Sequence, residues 1–125
     1  MVGVSNAQDK LEELLADDTL LTLNEVAERL GIPVTKVGDL LDDHKLACTR
    51  IDGKKYVPEL LLDEDGSINR FASSAITVLI DGGYDDEEIL VHLFTEDESL
   101  PGRPVDALHG QKAREVIRRA QAMAF

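Results

Sequence analysis

The chain has 125 residues, of which 25 are acidic and 13 basic, and its formal charge at neutral pH is −12. This length allows one domain, or two very small ones that share a core. The single cysteine, Cys48, excludes an intramolecular disulfide and a cysteine-rich zinc site. The apolar runs are shorter than the ~20 residues that a membrane span needs, and the N-terminus lacks a secretory pattern. These two features predict a cytoplasmic protein.

The charge is distributed unevenly along the chain. The segment 63–98 has eleven acidic residues and one basic residue, and 9–28 is also strongly acidic. In contrast, 44–58 has four basic residues against one acidic, and 102–125 has five against two. Because salt screens charges beyond roughly 8 Å, a phosphate group responds mainly to nearby side chains. The net charge therefore weakens a nucleic-acid function without excluding it.

Capping patterns and apolar periods predict the first three helices. Ser5-Asn6-Ala7-Gln8 precedes leucines at helical spacing, which predicts an acidic helix over 6–17. Thr22-Leu23-Asn24-Glu25 begins a second helix, which ends at Gly31. The apolar period then restarts and predicts a third helix over about 34–43.

A hairpin and a spacing rule identify the motif that these helices form. Asp52-Gly53 between strands over 47–51 and 54–57 is a strong two-residue hairpin signal. Ala27 is small where two helices would touch, Gly31 supplies the turn, and Val37 is a β-branched core residue. The segment is typical of a winged helix-turn-helix, with a recognition helix at about 34–43 and a wing at about 47–57.

The second half of the chain is predicted to be helical. A polar turn at 63–67 is the expected boundary between an N-terminal and a C-terminal unit. The expected fold class is mainly α with a small β-hairpin wing: a winged helix-turn-helix domain over 1–62, and a C-terminal helical bundle over 63–125 packed on it. Beyond the turn, apolar periods and caps predict four helices, at about 71–79, 85–94, 104–108 and 113–123.

Six side chains are candidates for contact with DNA. The start of a recognition helix enters the major groove, where Thr35 would contact a base or a phosphate and Lys36 a phosphate. Basic residues of the wing would lie on the phosphate backbone. The candidate DNA-binding residues are Thr35, Lys36, Lys45, Arg50, Lys54 and Lys55.

Simpler roles for these residues stay open. Thr35 would serve equally as a local backbone cap, and Lys54-Lys55 as a solvated hairpin tip. Three acids in the recognition helix, Asp39, Asp42 and Asp43, oppose DNA, so only the first turn of that helix is expected to meet it.

Several segments resemble known families. The segment LNEVAERLGIP at 23–33 and the strand at 54–58 resemble the compact winged domains of MerR-like and excisionase-like regulators. Four later segments resemble a small actinobacterial family of winged-helix DNA-binding proteins known from mycobacteria: 81–84, 93–95, 103–109 and 113–124. This resemblance spans about 20–125 and implies a non-enzymatic, transcription-regulator-like protein that binds double-stranded DNA in the cytoplasm, at the nucleoid. It places Lys36 and the basic wing around Arg50 at the DNA.

An alternative function is a protein-interaction module. The C-terminal segment also resembles, more weakly, the toxin-binding region of Xre-type antitoxins, which implies a protein partner for the C-terminal helices. So few phosphate contacts per chain predict weak binding by a monomer. A homodimer, or a second basic element at Arg114, Arg118 and Arg119, would then be needed.

The remaining polar residues predict little chemistry. His44, His92 and His109 lack metal-ligand spacing, and neither a catalytic constellation nor a phosphate loop is visible, so we expect neither a metal nor a cofactor nor enzymatic activity. A Ser/Thr kinase is a further expected partner, because phosphorylation at Ser5 or Thr19 would add negative charge near a DNA surface.

Overall fold

The computed structural model describes residues 7–100 and 102–124. Over these residues the chain forms seven α-helices and three short strands, with one 3₁₀ turn at Glu59–Leu61. The mainly helical winged fold predicted from the sequence is confirmed. In chain order the elements are α1 (Ala7–Leu14), β1 (Leu20–Thr22), α2 (Leu23–Leu30), α3 (Val34–Asp42), β2 (Thr49–Ile51), β3 (Lys54–Pro58), α4 (Arg70–Asp81), α5 (Asp86–Phe94), α6 (Pro104–Ala107) and α7 (Ala113–Ala124).

Local caps fix the helix-turn-helix. The Thr22 hydroxyl accepts a hydrogen bond from the Glu25 N–H at 3.2 Å, and the Glu25 carboxylate accepts one from the Thr22 N–H at 2.8 Å. This capping box starts α2. Gly31 ends α2 with φ of 71°, a left-handed conformation that glycine adopts without strain. Val37 from α3 is fully buried in the same core as Ala27 from α2, as the spacing predicted.

The first helix is shorter than expected, and its predicted start at residue 6 and its Ser5 cap lie outside the described residues. The helix ends at Leu14 rather than at residue 17. The Ala16 N–H donates to the Glu13 carbonyl, three residues back, so the last turn tightens and the helix stops. Two aspartates follow, and this residue type disfavours helix interiors.

The sheet has a strand that the sequence did not reveal. Its order is β1-β3-β2, and β1 pairs antiparallel with β3 through Leu20 opposite Pro58 and Leu21 opposite Val57. Three residues are too short for an alternating pattern to stand out. The hairpin itself is as predicted: Asp52 and Gly53 at its tip have φ of 53° and 81°, as a two-residue turn of type I′ requires.

The strand predicted at 47–51 begins only at Thr49. Ala47 is fully buried ahead of the strand. The Cys48 N–H donates to the Asp86 side chain of α5, at 3.1 Å, rather than joining the sheet ladder. The interpretation of Cys48 as a strand residue is therefore wrong, and the reason is a contact 38 residues away in sequence.

The helices after the polar turn share one core with the winged part. This continuous cluster of buried residues includes Leu11 of α1, Val37 of α3, Ile76 of α4 and Leu93 of α5. The polar turn itself packs against α2, since a Cβ added to Gly66 would lie 2.6 Å from the Arg29 carbonyl oxygen. Only glycine fits this close approach, which holds the start of the helical region against the end of α2.

Candidate nucleic-acid interface

The first turn of α3 is presented to solvent. Pro33 precedes the helix in an extended conformation, and its ring offers no side-chain acceptor to cap the first amides. Thr35 and Lys36 are both exposed, and so is Val34, with 42% of its surface accessible. Val37 points the opposite way and is fully buried. The helix thus offers a hydroxyl, an ammonium and its own positive dipole end at one edge of the molecule.

Lys45 lies at the other end of α3. His44 follows the helix in a left-handed conformation with φ of 60°, and the Lys45 N–H donates to the Leu40 carbonyl at 2.9 Å, which closes the helix. The Lys45 side chain is exposed. About nine residues at 1.5 Å each put it ~14 Å along the helix axis from Lys36. The two lysines therefore do not form one cluster.

The basic residues of the hairpin divide between its two faces. Arg50 on β2 pairs directly with Lys55 on β3, so both side chains project from the same face of the sheet. Lys54 pairs with Ile51 and projects from the other face, next to the tip. All three basic residues are exposed. Sequence reasoning treated them as one basic patch, whereas the pleat of the strands separates them.

The face that carries Arg50 and Lys55 meets an acidic helix start. A cleft of about 420 Å³ is lined by these two residues, and its acidic lining consists of Asp85, Asp86 and Glu87 at the beginning of α5 and Asp42 at the end of α3. Sequence reasoning missed this juxtaposition. The only signal was the opposite charge of two segments more than 30 residues apart, and such a signal does not say which segments meet.

Burial shifts the pKa of two groups at the base of this cleft. Partial burial raises the pKa of the Asp86 carboxyl, and the hydrogen bond from the Cys48 N–H opposes that shift, with smaller opposing effects from His44 and Lys55. Burial, followed by the charge of Asp86, raises the pKa of the Cys48 thiol. A thiol with a raised pKa stays protonated and unreactive, which suits a structural position.

Two arginines of α7 are held in intramolecular ion pairs. Arg119 bonds to Glu115 at 2.9 Å and to Asp97 at 3.2 Å, and Arg118 bonds to Glu115 at 2.7 Å. Arg114 is exposed on the same helix. A second basic element on α7, considered from the sequence, therefore has two of its three arginines already paired with carboxylates.

The residues considered for other roles lie elsewhere. Thr19 is exposed just before β1, and its carbonyl accepts a hydrogen bond from the Glu59 N–H; Ser5 lies outside the described residues. Among residues 7–100 and 102–124, no three His, Cys, Asp or Glu side chains are placed to hold a metal ion. In that same part of the chain, every helix is too short or too polar to span a membrane.

The helix pair, the three-stranded sheet and the protruding hairpin define a winged helix-turn-helix domain. A family model described as "DNA-binding protein Rv2175c, wHTH domain" matches residues 7–62. A second, described as "Rv2175c C-terminal domain of unknown function", matches residues 70–124.

The similarity extends over most of the chain. The DNA-binding protein Rv2175c of Mycobacterium tuberculosis is 41% identical over 121 residues, covering 87% of this chain and 83% of that protein. The NMR structure of Rv2175c matches with a TM-score of 0.81 over the same shares of the two chains. The chain belongs to the Rv2175c family, and the predicted resemblance to a mycobacterial winged-helix family is confirmed.

Proposed function

We propose that this protein binds double-stranded DNA through the first turn of α3 and the wing, and that it acts as a transcription regulator at the nucleoid in the cytoplasm. The observation that carries the proposal is the exposure of Thr35 and Lys36 in the first turn of α3, and of Lys54 at the hairpin tip, in a winged helix-turn-helix. The family match supports it, because the relative Rv2175c is named as a DNA-binding protein. The division into a winged domain over 1–62 and a helical domain over 63–125 is part of this proposal.

The six candidate residues have different parts in the proposed complex. Lys36 contacts a phosphate beside the major groove, and Thr35 contacts a base edge or a phosphate. Lys54 reaches the phosphate backbone of the DNA from the hairpin tip. Lys45, at the far end of α3, and the pair Arg50 and Lys55, on the other face of the hairpin, contact neighbouring phosphates. The exposed acids of α3 keep the part of that helix between Lys36 and Lys45 away from DNA.

A titration of duplex DNA with the purified protein tests this proposal. Each phosphate neutralised contributes about −0.9 to the slope of log affinity against log salt. The K54E/K55E variant is expected to bind at least about tenfold more weakly on every DNA sequence and to lower the slope by about 1 to 2. A matched control, K10E/K112E, makes the same charge change at two exposed lysines away from the wing.

The control makes the outcome decisive. Equal losses in both variants would show that only net charge matters, and unchanged binding by K54E/K55E would remove the wing from the interface. Circular dichroism of both variants checks that the fold is intact, which is expected because all four lysines are exposed.

We infer that two chains bind together on DNA. One chain offers few cations, and two arginines of α7 are already paired with carboxylates. Light scattering with and without duplex tests this: a 2:1 complex is expected, and a 1:1 complex of the same affinity would contradict it. If the wild-type chain is not retained on DNA but captures a protein through residues 63–125, the protein-interaction alternative is supported instead.

We propose a Ser/Thr kinase as a partner of this chain, but modification at Thr19 itself is expected to have little direct effect on DNA binding. Thr19 is exposed, but the pairing of Leu20 with Pro58 puts it at the opposite end of β3 from Lys54. Four residues at ~3.4 Å make this separation about 14 Å, beyond the Debye length of ~8 Å. Thr19→Glu is therefore expected to weaken DNA binding by less than about twofold, and a larger loss would show that this distance estimate fails.

A further inference from the structure

The beginning of α5 contacts the base of the wing. The Asp86 carboxylate accepts a hydrogen bond from the Cys48 N–H at 3.1 Å, just ahead of β2. Asp86 is half-buried, and the contact joins residues 38 positions apart. Because this amide bonds to a carboxylate rather than to the sheet, the C-terminal region holds the point from which the hairpin projects.

The same helix start faces two of the wing's cations. Arg50 and Lys55 are directly opposed across the strands, an arrangement in which like charges repel. They line the cleft together with Asp85, Asp86 and Glu87. The carboxylates of α5 offset this repulsion, and Lys55 in turn lowers the pKa of Asp86 against the effect of burial. The two groups of charges are thus electrically coupled.

DNA phosphates and the α5 carboxylates are alternative partners for the same cations. When a cation that already faces a carboxylate meets a phosphate, fewer counterions are released. Such a cation therefore contributes less to the affinity for DNA. Lys54 projects from the other face of the hairpin and does not line this cleft. The wing therefore has one cation directed away from the acids and two that face them.

We propose that the first turn of α5 is an intramolecular competitor of DNA. Asp86 holds the base of the wing through Cys48, while Asp86 and Glu87 reduce the hold of Arg50 and Lys55 on phosphates. The C-terminal helical region thereby sets the DNA affinity of the winged domain. This inference rests on the proposed DNA-binding function and assigns a role to the acidic segment that the winged motif alone leaves unused.

The test separates the charge of Asp86 from its hydrogen bond. In the D86N/E87Q variant the amide oxygen at position 86 still accepts from the Cys48 N–H, while two negative charges are removed. The matched control, E96Q/E98Q, removes two charges from exposed residues in the loop beyond the opposite end of α5. Both variants and the wild-type chain are titrated with the same duplex between about 50 and about 200 mM salt.

The D86N/E87Q variant is expected to bind about three- to tenfold more tightly at low salt, with a salt slope steeper by about 1. The E96Q/E98Q control is expected to change affinity by less than about twofold. Equal gains in the two variants, or no gain in D86N/E87Q, would overturn the competition.

A double-mutant cycle shows whether the acids act through the two cations. In an R50Q/K55Q background the gain from D86N/E87Q is expected to vanish, because the shared partners are gone. A gain of undiminished size in that background would mean that the acids repel DNA directly, and the proposal would fail.

The hydrogen bond is tested without DNA. Hydrogen exchange at the Cys48 amide is expected to be at least about tenfold faster in Asp86→Ala than in Asp86→Asn, which keeps an acceptor. Equal exchange in the two variants would overturn the anchoring role. If the wild-type chain shows no salt-sensitive binding to DNA, the proposed function and the competition fail together, while the exchange rates still decide whether Asp86 anchors the wing.

Discussion

The two basic segments of this chain have the same excess of positive charge, but the structure uses them differently. In 44–58 the three lysines are exposed: Lys45 lies just after α3, and Lys54 and Lys55 lie on the hairpin. In 102–125, Arg103 bonds to Asp18 in the loop after α1, Arg119 bonds to Asp97 in the loop after α5, and Arg118 bonds to Glu115 within α7. A local charge count therefore does not identify an interface by itself, because the folded chain supplies partners to some of the cations. Here, Arg103, Arg118 and Arg119 stabilise the fold, whereas Lys54 at the tip of the wing is directed away from the acids.

Equivalent charge reversals at the proposed interface and in 102–125 give the largest expected contrast. K36E/K54E, which alters the first turn of α3 and the hairpin tip, is expected to weaken DNA binding about 100-fold with little change in stability. R114E/R118E changes two exposed arginines of α7 and is expected to weaken it by less than about threefold. Fluorescence anisotropy with a labelled duplex measures both. Comparable losses would erase the distinction between the segments.

A substitution at Arg103 is the strongest test of whether the basic residues of 102–125 stabilise the fold. Its guanidinium donates to Asp18 at 2.7 Å and to Asp106 at 3.1 Å, and it stacks on the Phe94 ring. Its hydrogen bonds to the two carboxylates raise the pKa of Arg103, so the group stays charged. Arg103→Met leaves Asp18, only 11% exposed, without this partner and is expected to lower the free energy of unfolding by about 2 kcal/mol.

The control for Arg103 is an exposed ion pair. Arg29 and Glu59 lie 2.6 Å apart, but both are more than a third exposed, and pairs of this kind contribute little. Arg29→Met is expected to change the urea midpoint much less than Arg103→Met. A similar shift in the two variants would count against the importance of the partly buried bridge.

Arg119 should have a smaller effect of the same kind. It donates to Glu115, Asp97 and the Ser99 hydroxyl, which fixes α7 against the loop after α5. Arg119→Gln is expected to reduce the free energy of unfolding by about 1 kcal/mol, since the side chain is partly exposed. Arg118→Gln, whose side chain is 76% exposed, serves as the matched control and should have almost no effect on urea unfolding.

The smallest expected effect is a pH dependence of the free energy of unfolding, which comes from His92 near the same cluster. Burial lowers the pKa of His92 from its usual 6.5, and the charge of Asp97 opposes the shift. The unfolded chain therefore takes up the proton first, and stability is lost as pH falls below about 6.5. Urea unfolding at several pH values measures this loss, and His92→Gln should flatten the profile between pH 7 and 5. A profile that His92→Gln leaves unchanged would assign the dependence to other groups.

The sequence predicted the parts of this molecule that depend on near neighbours. The capping box of Thr22 and Glu25 and the left-handed Gly31 are built within a few residues, and so is the Asp52-Gly53 turn. Local propensity and spacing are enough to read such features.

Contacts between distant segments could not be read in this way. Arg103 meets Asp18 across 85 residues, and Asp86 meets the Cys48 amide across 38. Nothing in a single sequence states which acid meets which base. The strand β1 was missed because its three residues gain their structure from pairing with β3.

The candidate site illustrates both cases. The exposure of Lys36 follows from helical periodicity around buried Val37. The separation of Lys54 from Lys55 follows from the strand pleat, once the register is known. The acidic residues beside Arg50 could not be predicted from the sequence, because their position depends on the packing of α5 against the base of the hairpin.

The central claim is that DNA meets the first turn of α3 and the wing, and not the arginines of α7. The most direct measurement is amide chemical-shift mapping of the labelled chain during titration with a short duplex at low salt. We expect the largest shifts at 34–36 and 52–55, fading as salt is raised, with α7 unaffected. Shifts concentrated on α7, or shifts that do not respond to salt, would contradict the claim.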